Sequence, residues 1–437
     1  MVLFWFRRDL RLEDNAGLAK ALELGVPVQP VFVFDRSILD RLEERSDARV
    51  NFIHAQLHVL DQEFRKYGGS LWCYYGTPEE AHTHWIANHP EIQGVVANRD
   101  YEPYARQRDQ QIDEMYRQSG RWFKGTKDHV VFEKNEVVKP DGAPYSVFTP
   151  YSRKWRERLS SEGIPHHDSQ SGLALHLHRS EGLYPIPSLE KMGFSPSLVS
   201  IPQCEWTANQ VKNYARNRDT PGLEHGTTRL GVHLRFGTLS VRSLLRQTRE
   251  LSETFVSELI WRDFYQMVLY HCPESPAKAI KPAYDRIQWE HNEAHFSAWC
   301  EGRTGYPLVD AGMRQLNATG YMHNRVRMVV ASFFTKHLLL DWRLGEAYFA
   351  QKLLDYDQAS NVGGWQWASG SGNDAAPYFR IFNPESQLAK FDKNLVYVKR
   401  WVPEYGTSSY PKPIVDHAFA RQRCLERYKL GLSEVQA

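Results

Sequence analysis

The first third of the chain alternates between short apolar runs and amphipathic segments, and this alternation restricts the fold more than any other feature. The runs "MVLFWF", "VPVQPVFVF", "SLWCYYG" and "GVVANRDY" have the character of strands, and the segments between them show helical spacing of apolar residues. Strands that alternate with helices form a parallel, doubly wound sheet. The sequence therefore predicts a Rossmann-like α/β domain over residues 1–130.

The loop after the first strand reads "WFRRDLR" and contains no G-x-G-x-x-G motif. That glycine pattern allows a dinucleotide pyrophosphate to approach a helix start, so its absence disfavours a nicotinamide dehydrogenase. Ligands of doubly wound sheets bind at the carboxyl ends of the strands. The segments "FDRS" and "NRDYEPYARQRD" stand at two such ends.

The strand pattern stops in the second half of the chain. Ser, Gly, Pro and His dominate the stretch before Pro202, which is typical of a long connector, and the sequence predicts an interdomain linker over residues 131–201. Later segments such as "SVRSLLRQTRELSETFVSELIWRDFYQMVLYH" have helical periodicity. We therefore predict an all-α domain over residues 202–437, and the length of the chain is sufficient for two domains.

Composition indicates a soluble globular protein that we expect to be cytoplasmic and monomeric. No apolar stretch approaches the roughly 18 residues that a membrane span needs. The five cysteines lie far apart without a C-x-x-C pair, so neither a disulfide framework nor a metal site is expected. The net charge is only +2, so nucleic-acid binding would need a local basic patch, and residues 207–250 are locally basic.

One predicted helix, in "FVSELIWRDFYQM", has an apolar face and a mixed face. Glu258, Trp261, Arg262 and Tyr265 share the mixed face because of their i, i+3, i+4, i+7 spacing. A tryptophan ring between a carboxylate and a guanidinium suits a planar polar ligand. The alternative is an amphipathic helix with one exposed tryptophan, and the spacing alone does not decide between the two.

Two further segments place polar residues in apolar surroundings. In "YMHNRVRMVV", Asn324, Arg325 and Arg327 interrupt an apolar helix. A buried arginine needs a carboxylate, which Asp355 or Asp357 would supply, either as a structural salt bridge or as part of a polar pocket. In "HGTTRLGVHLRFG", glycines and hydroxyls at a helix start suit a phosphate, although many helix caps look alike.

Several long motifs, taken in order, resemble those of the photolyase/cryptochrome flavoproteins. They include "VLFWFRRDLRLEDN", "GTTRLGVHLRFG", "ELIWRDFYQ", "DYDQASNVGGWQWASGSG" and "PYFRIFNPESQLAKFD", and the resemblance spans essentially the whole chain. It implies an N-terminal α/β antenna domain, a linker and a C-terminal helical domain that binds FAD. Within the family the chain most resembles the class I cyclobutane pyrimidine dimer photolyases, which are light-driven DNA repair lyases.

Matching the motifs position by position implies roles for individual residues. The FAD contacts would be Tyr214, Thr227, Thr228, Arg229, Leu230, Asn324, Arg327, Asp355, Asp357 and Asn361. The contacts to damaged DNA would be Glu258, Trp261, Arg262, Arg325, Met328, Trp367 and Arg380. The catalytic residues would be Glu258 and Asn324 at the lesion, with an electron path to oxidised flavin through Trp289, Trp342 and Trp365.

The resemblance also separates branches of the family. Asn361 would lie nearest flavin N5, where a neutral amide tolerates an anionic reduced flavin and an acid would oppose it. The (6-4) photolyases carry a histidine pair in the neighbourhood where this chain has Asn324 and Met328. Both positions favour electron transfer from reduced FAD to a flipped-out cyclobutane dimer in ultraviolet-damaged DNA. The alternatives are a blue-light photoreceptor cryptochrome without repair activity and a (6-4) photolyase.

A second chromophore is implied by the resemblance but is not fixed by it. The segment "YEPYARQRD" has Tyr104 and Ala105 where folate-binding relatives have Asn-Glu, which disfavours folate. The segment "NRDYEPY" looks more like that of relatives that bind an 8-hydroxy-deazaflavin, and FMN or no second chromophore stay open. The antenna contacts would be Phe34, Asp35, Arg49 and Asp100.

Overall fold

The computed structural model describes residues 1–180 and 182–433, and their contacts divide the chain into two compact units. The first, here the α/β unit, comprises Met1–Glu136, Arg156–Cys204 and Leu230–Gln247. The second, here the helical unit, comprises Val137–Trp155, Glu205–Arg229 and the chain from Thr248 onward. The boundaries of these units differ from the predicted domain boundaries, because residues of the predicted linker belong to both units. The assignment of an antenna domain, a linker and an FAD-binding domain to those boundaries stays a prediction.

In the described part of the chain the α/β unit contains one five-stranded sheet with the order β3-β2-β1-β4-β5. Its strands are β1 (Val2–Phe6), β2 (Val28–Asp35), β3 (Trp72–Gly76), β4 (Gly94–Asn98) and β5 (Trp122–Thr126), and all neighbours pair in parallel. The predicted fold class is therefore confirmed. Strand β5 was not predicted, because this edge strand is mostly half-buried and contains a lysine and a glycine.

Helices follow the strands as the alternating pattern predicted. They are α1 (Ala16–Leu22), α2 (Arg36–Leu39), α3 (Ala48–Arg65), α4 (Pro78–Asn88) and α5 (Pro103–Gln118). Local chemistry sets their starts: Asn15 caps α1, and Thr77 with Glu80 forms a reciprocal capping box at α4. Strands β1 and β2 are buried throughout, so the core of this unit lies around them.

A buried charge network ties together distant segments of the α/β unit. Arg11 and Arg242 donate to the fully buried carboxylate of Asp128 at 2.8 Å and 2.9 Å, and Arg242 also reaches Asp14 at 3.4 Å. Burial alone would raise the pKa of Asp128, but the two guanidinium groups hold it well below its usual range. The network joins the loop after β1 to the helix that carries Arg242.

Asp128→Ala should destabilise the α/β unit by about 3–5 kcal/mol, because two buried guanidinium groups lose their counter-charge. Urea unfolding followed by circular dichroism measures the change. The stabilisation by Asp128 should be complete above the unfolded-state pKa of about 3.9 and should decline as the pH falls below it towards the depressed folded-state pKa. Asp40→Ala, which removes half-exposed Asp40 from its pair with Arg36, is the control and should leave stability almost unchanged. Equal effects of the two substitutions would contradict the structural role of the network.

The later part of the chain is helical, as the periodicity predicted. Helices α6–α11 are Phe148–Glu162, Leu173–His176, Ala208–Lys212, Tyr214–Asn217, Gly231–Phe236 and Val241–Thr248. Helices α12–α20 are Glu253–His271, Glu293–Cys300, Pro307–Thr319, Asn324–Ser332, Trp342–Lys352, Gln358–Ser369, Pro384–Phe391, Val396–Trp401 and His417–Ser433. The remaining helical turns are the 3₁₀ turns Glu190–Met192 and Pro282–Arg286 and the π-helical turn Phe333–His337. None of the described helices is long and apolar enough to cross a membrane.

The core of the helical unit is one large apolar cluster around α14, α15, α16 and α17. Helix α17 packs closely against two neighbours. A Cβ placed on Gly345 of α16 would lie 2.1 Å from the Trp365 ring, and a Cβ on Gly363 would lie 2.2 Å from the Tyr265 ring of α12. Only glycine therefore fits at these two positions, and the packing fixes how α17 is oriented between α12 and α16.

Candidate functional site

The mixed face of α12 exists in the structure as the spacing predicted. Ser252 caps the helix through the amide of Phe255, and the opposite, apolar side is buried in the core. Glu258, Trp261, Arg262 and Tyr265 are all half-buried. The face is therefore accessible to a ligand without being fully in solvent.

Trp261 is held flat by an aromatic stack. Its ring lies 3.8 Å from that of Phe148, centroid to centroid, with an interplanar angle of 4°. Phe148 begins α6 and belongs to the helical unit although it falls inside the predicted linker. The stack fixes the plane of Trp261, which is the property that a stacking platform for a flat ligand needs.

Glu258 pairs with a residue that the motif comparison did not include. Its carboxylate accepts a hydrogen bond from Arg218, which follows α9. Burial raises the pKa of Glu258 above its ordinary value even though Arg218 opposes the shift. A carboxyl group with a raised pKa can keep its proton more readily and donate it in a hydrogen bond to a ligand oxygen.

Asp219, the residue after Arg218, pairs with Arg325, the second arginine of this region. Asp219 accepts from Arg325 Nη2 at 2.8 Å and Nε at 3.1 Å, and the Arg325 guanidinium lies 4.5 Å from the centre of the Phe391 ring. Adjacent residues of one loop, Arg218 and Asp219, therefore pair with Glu258 of α12 and with Arg325 of α15. These pairs fix two charged side chains of the candidate site.

The start of α15 presents three of the predicted residues. Asn324 is exposed, and Met328 is half-buried with its sulfur 3.6 Å from Arg325 Nη1. His323 caps the helix by accepting from the Arg325 amide, and burial lowers the pKa of His323 to about 4. The imidazole is therefore neutral at neutral pH, and its role in the helix start is structural.

A second polar group lies where α15 meets the residues before α17. Arg327 Nη2 donates to both carboxylate oxygens of Asp355, at 3.0 Å and 2.9 Å. Asp357 caps α17 through the amide of Ser360 and accepts from Gln266 Nε2 at 2.9 Å. The Arg327–Asp355 pair is only half-buried, so it borders a surface as well as joining two segments.

Asn361 is oriented by a carboxyl group. Its side-chain amide donates to Glu346 Oε1 at 2.9 Å and to the Glu346 backbone carbonyl at 3.2 Å. Burial raises the pKa of Glu346. Because the amide nitrogen of Asn361 is committed to Glu346, its carbonyl oxygen is directed away from that residue.

The predicted phosphate segment lies partly in each unit. Thr227, Thr228 and Arg229 are half-buried in the helical unit, while buried Leu230 begins a segment of the α/β unit. Thr227 Oγ1 lies 3.3 Å from the Tyr321 hydroxyl, and Arg229 has a positive φ of 51°.

Tyr214 is half-buried near the same part of the helical unit. Its ring packs edge-on against Phe255, and the Arg218 guanidinium lies 5.5 Å from its centre.

Four of the five tryptophans singled out in the sequence, all except Trp261, lie in or against the same core cluster. Trp342 and Trp365 are buried within it, while Trp289 and Trp367 pack against it and are half-buried. Arg380 is exposed in the segment that follows α17. The structure thus places the predicted lesion and electron-path residues in the helical unit, together with all of the predicted flavin residues except Leu230.

The four antenna candidates all lie in the α/β unit. Phe34 and Asp35 end β2, and Asp35 caps α2 and accepts from the Tyr104 hydroxyl. Asp100 follows β4 and lies 3.4 Å from Arg8, which follows the neighbouring strand β1.

The fourth candidate is held by a different acid. Arg49 donates to Asp47, which caps α3.

Since the strand order changes direction between β1 and β4, Asp100 lies at the switch point where such sheets bind ligands.

Five site residues were missed by the sequence reasoning. They are Phe148, Arg218, Asp219, Gln266 and Glu346. Each acts by contacting a predicted residue from a segment far away along the chain. The sequence signals near them were the locally basic composition of residues 207–250, for Arg218 and Asp219, and the motif "FVSELIWRDFYQM", which contains Gln266.

Comparison with known proteins gives matches over both halves of the chain. The family described as DNA photolyase matches residues 2–171, and the FAD binding domain of DNA photolyase matches residues 255–409. A deoxyribodipyrimidine photo-lyase of Alkalihalophilus pseudofirmus is 34% identical over 97% of this chain and 97% of its own length. This chain belongs to the photolyase/cryptochrome family.

Solved structures of family members have the same fold. A bacterial class III photolyase from Agrobacterium tumefaciens has a TM-score of 0.84 and 34% identity, with 98% of this chain and 97% of that chain covered. An archaeal photolyase from Sulfolobus tokodaii with two FAD molecules has the same TM-score and identity over 98% and 99%. A cryptochrome of Synechocystis sp. has a TM-score of 0.86 and 25% identity over 98% of both chains. The narrower placement in class I stays a prediction.

The residues of this photolyase homologue fit a flavin. Asn361 and Gly364 are three residues apart, so they lie on the same side of α17. A Cβ on Gly364 would meet no atom within 4 Å, so the helix backbone there can face a flat ligand directly. The nearby Arg327, Asp355 and Asp357 supply donors and acceptors for the edge of such a ligand.

Gly364→Ala should therefore affect FAD binding and not folding. The added methyl group has space in the protein alone, and alanine favours the helix by about 0.5–1 kcal/mol relative to glycine. We expect unchanged or slightly higher thermal stability without FAD, but a lower ratio of flavin to protein absorbance after purification. Gly345→Ala is the contrasting variant and should lose stability, since its methyl group would overlap Trp365. Full FAD content in Gly364→Ala would contradict this placement of the flavin.

Proposed function

We propose that the chain is a deoxyribodipyrimidine photo-lyase that uses light to split cyclobutane pyrimidine dimers in DNA. The observation that carries the proposal is the pairing, on one face of α12, of a flat-held Trp261 with a Glu258 whose pKa is raised. Such a face can stack a pyrimidine and donate a hydrogen bond to its carbonyl oxygen. The names of the curated relatives support the same activity.

Most of the residues that hold the cofactor in this proposal belong to the helical unit. Asn361, Arg327, Asp355, Asp357 and Asn324 contact the ring systems of FAD. The hydroxyl, amide and guanidinium groups of a second set contact its phosphates, namely Tyr214, Thr227, Thr228, Arg229 and Leu230. When bound in its reduced form, FAD supplies the light-driven electron that splits the dimer. Asn361, whose neutral amide is oriented by Glu346, adds no negative charge beside it.

The lesion is held by residues of α12, α15 and α17. Trp261 and Trp367 stack against the flipped-out bases, and Met328 and Asn324 complete the wall. A damaged pair costs less to extrude than an intact one, which gives preference for the lesion. Glu258 donates a hydrogen bond to a pyrimidine oxygen and thereby stabilises negative charge that develops on the base.

Arginines at the edge of the site hold the DNA backbone. Arg262, Arg325 and Arg380 contact phosphates, so affinity should fall as salt concentration rises. Trp289, Trp342 and Trp365 provide the path by which an electron reaches oxidised FAD from the protein surface.

The second chromophore is proposed to be an 8-hydroxy-deazaflavin. Asp35 and Asp100 at strand ends offer acceptors for its polar edge. Phe34 and Arg49 are the other two proposed contacts. The solved relative with two FAD molecules makes a second flavin the alternative. We further propose that the protein acts as a monomer in the cytoplasm.

Two neighbouring functions compete with this proposal. The similarity to a Synechocystis cryptochrome favours a blue-light receptor as the alternative. A (6-4) photolyase would share the flavin site but act on a different photoproduct. The lesion substrate therefore discriminates among the three.

The deciding experiment offers oligonucleotides with one defined photoproduct to protein whose FAD has been chemically reduced. We expect blue light to restore the cyclobutane dimer to two pyrimidines, seen by chromatography, with no change in the dark. Loss of the (6-4) product instead would establish that alternative. No change in either substrate, with reduced FAD shown to be present, would contradict repair and favour the receptor.

Trp261→Ala should weaken binding of dimer-containing DNA by about 1–3 kcal/mol, the contribution of one stacked base. FAD content should not change, since Trp261 is not among the proposed flavin contacts. Fluorescence anisotropy in the dark measures the affinity. Trp401→Phe is the matched control, because this half-buried tryptophan packs against the core cluster elsewhere in the helical unit. Equal affinities of Trp261→Ala and the parent protein would show that the ring does not contact the lesion.

A further inference from the structure

Lys336 is a buried lysine in the middle of the helical unit. It lies in the π-helical turn Phe333–His337, and its side chain is only 1% exposed. Phe333, Phe334 and Leu338, which surround it in sequence, belong to the main apolar cluster. π-Helical turns are uncommon and often occur at functional sites.

The ammonium group of Lys336 makes a hydrogen bond to the loop that follows α17. Its Nζ donates to the backbone carbonyl oxygen of Arg380 at 3.0 Å. Over residues 1–180 and 182–433, no carboxylate lies within ion-pair distance of it. Burial lowers the pKa of Lys336 to about 8, because the charged form is poorly solvated there.

A charged group at this position is costly to the fold. An apolar side chain of similar length would fill the same space without desolvating an ammonium ion. The compensating contact is directed at a single backbone atom, the carbonyl of Arg380. We therefore expect the functional role of Lys336 to lie in the loop that carries Arg380.

Other contacts hold the loop on either side of Arg380. Asp374 donates its amide to Ser146 at 2.9 Å, and the Tyr378 ring stacks on Tyr428 with centroids 5.7 Å apart. Beyond Tyr378, Phe379 is 61% exposed and Arg380 is also exposed, whereas Ile381 and Phe382 are half-buried and pack against core clusters. Between α17 and α18 the chain has no regular helix or strand. Arg380 itself makes two backbone hydrogen bonds, from its amide to the Pro377 carbonyl at 2.9 Å and from Lys336 to its own carbonyl, and these orient its backbone at the edge of the packed residues.

We propose that Lys336 is a positioning residue for DNA binding, which holds the backbone of Arg380 so that its guanidinium meets a phosphate beside the lesion. The inference rests on the proposed function, because it takes Arg380 as a DNA contact. It assigns to a buried lysine a role in substrate affinity that acts entirely through another residue.

The charged and titratable groups around Lys336 come from three segments. Arg380 is in the loop, Arg423 and Cys424 are on α20, and His337 in the same turn contacts His417 of α20 at 2.8 Å between ring nitrogens. Burial raises the pKa of Cys424 to about 12 and lowers that of His337 to about 3. Neither of these two groups changes charge between about pH 7 and about pH 9, while Lys336 loses its proton there.

The test measures the dark affinity for dimer-containing duplex and for undamaged duplex by fluorescence anisotropy. Lys336→Met should lower dimer affinity about three- to tenfold while thermal stability and flavin absorbance stay the same or rise. Arg380→Ala should lower affinity too, and the double variant should bind no worse than Arg380→Ala, because the two residues act as one unit. Additive losses in the double variant would overturn the proposal.

Two further measurements separate positioning from a general structural role. Thr335→Val removes a buried hydroxyl in the same turn that donates to the Ala331 carbonyl at 2.9 Å, and it should leave dimer affinity unchanged. Dimer affinity of the parent protein should fall between about pH 7 and about pH 9, as the charge that strengthens the hydrogen bond is lost. In Lys336→Arg, which keeps its charge, this decline should be absent. An identical decline in Lys336→Arg and the parent would overturn the proposal.

The outcomes distinguish this inference from the proposed function. If the parent protein prefers dimer-containing DNA and Lys336→Met binds it equally well, Lys336 has no positioning role and the repair function is untouched. If the parent binds damaged and undamaged duplex equally, the proposed function fails, and the role of Lys336 fails with it. If Lys336→Met does not fold, the pH series on the parent and Lys336→Arg decides.

Discussion

The candidate site depends on the close packing of α17 between α12 and α16. Gly345 and Gly363 remove the side chains that would separate these helices, and the Trp365 and Tyr265 rings occupy the space instead. The approach fixes the rotation of α17 about its own axis. As a result, Asn361 meets Glu346 on α16, Trp365 enters the core, and Trp367 remains half-buried at its edge. One steric constraint thus determines what each side of the helix offers to a ligand.

Charged side chains near the candidate site of the helical unit form separate ion pairs. Arg218 and Asp219, adjacent in the chain, contact Glu258 and Arg325, and Arg327 pairs with Asp355. Each pair leaves its members partly accessible, so a ligand can compete for them. This differs from the α/β unit, where Asp128 and Arg242 are sealed from solvent and serve stability. The degree of burial therefore decides which of these pairs a ligand can reach.

The sequence predicted much of the fold and the helix-borne part of the site, because both follow from local periodicity. Glu258 and Trp261 share a face through spacing alone, and the alternation of strands and helices identified the parallel sheet. The partners were not predictable, since Phe148 and Arg218 reach Trp261 and Glu258 only after distant segments pack together. Strand β5 was missed because an edge strand with polar residues lacks the apolar pattern. The linker boundaries differ because Ser- and Pro-rich composition marks irregular backbone and does not report which unit that backbone packs against.

The division of each unit into separate segments limits how parts of related proteins can be exchanged in chimeras. Each unit of the described chain is assembled from three separate segments, and the helical unit takes Phe148 and Trp155 from one of them, where the Trp155 indole donates to Asp263 of α12 at 3.0 Å. A chimera made by a single crossover near residue 202 would therefore combine the α12 of one parent with the aromatic partner of another. Recombination between relatives should succeed only where residues 137–155 and 248 onward are inherited together. The segments that must come from the same parent are thus separated along the sequence.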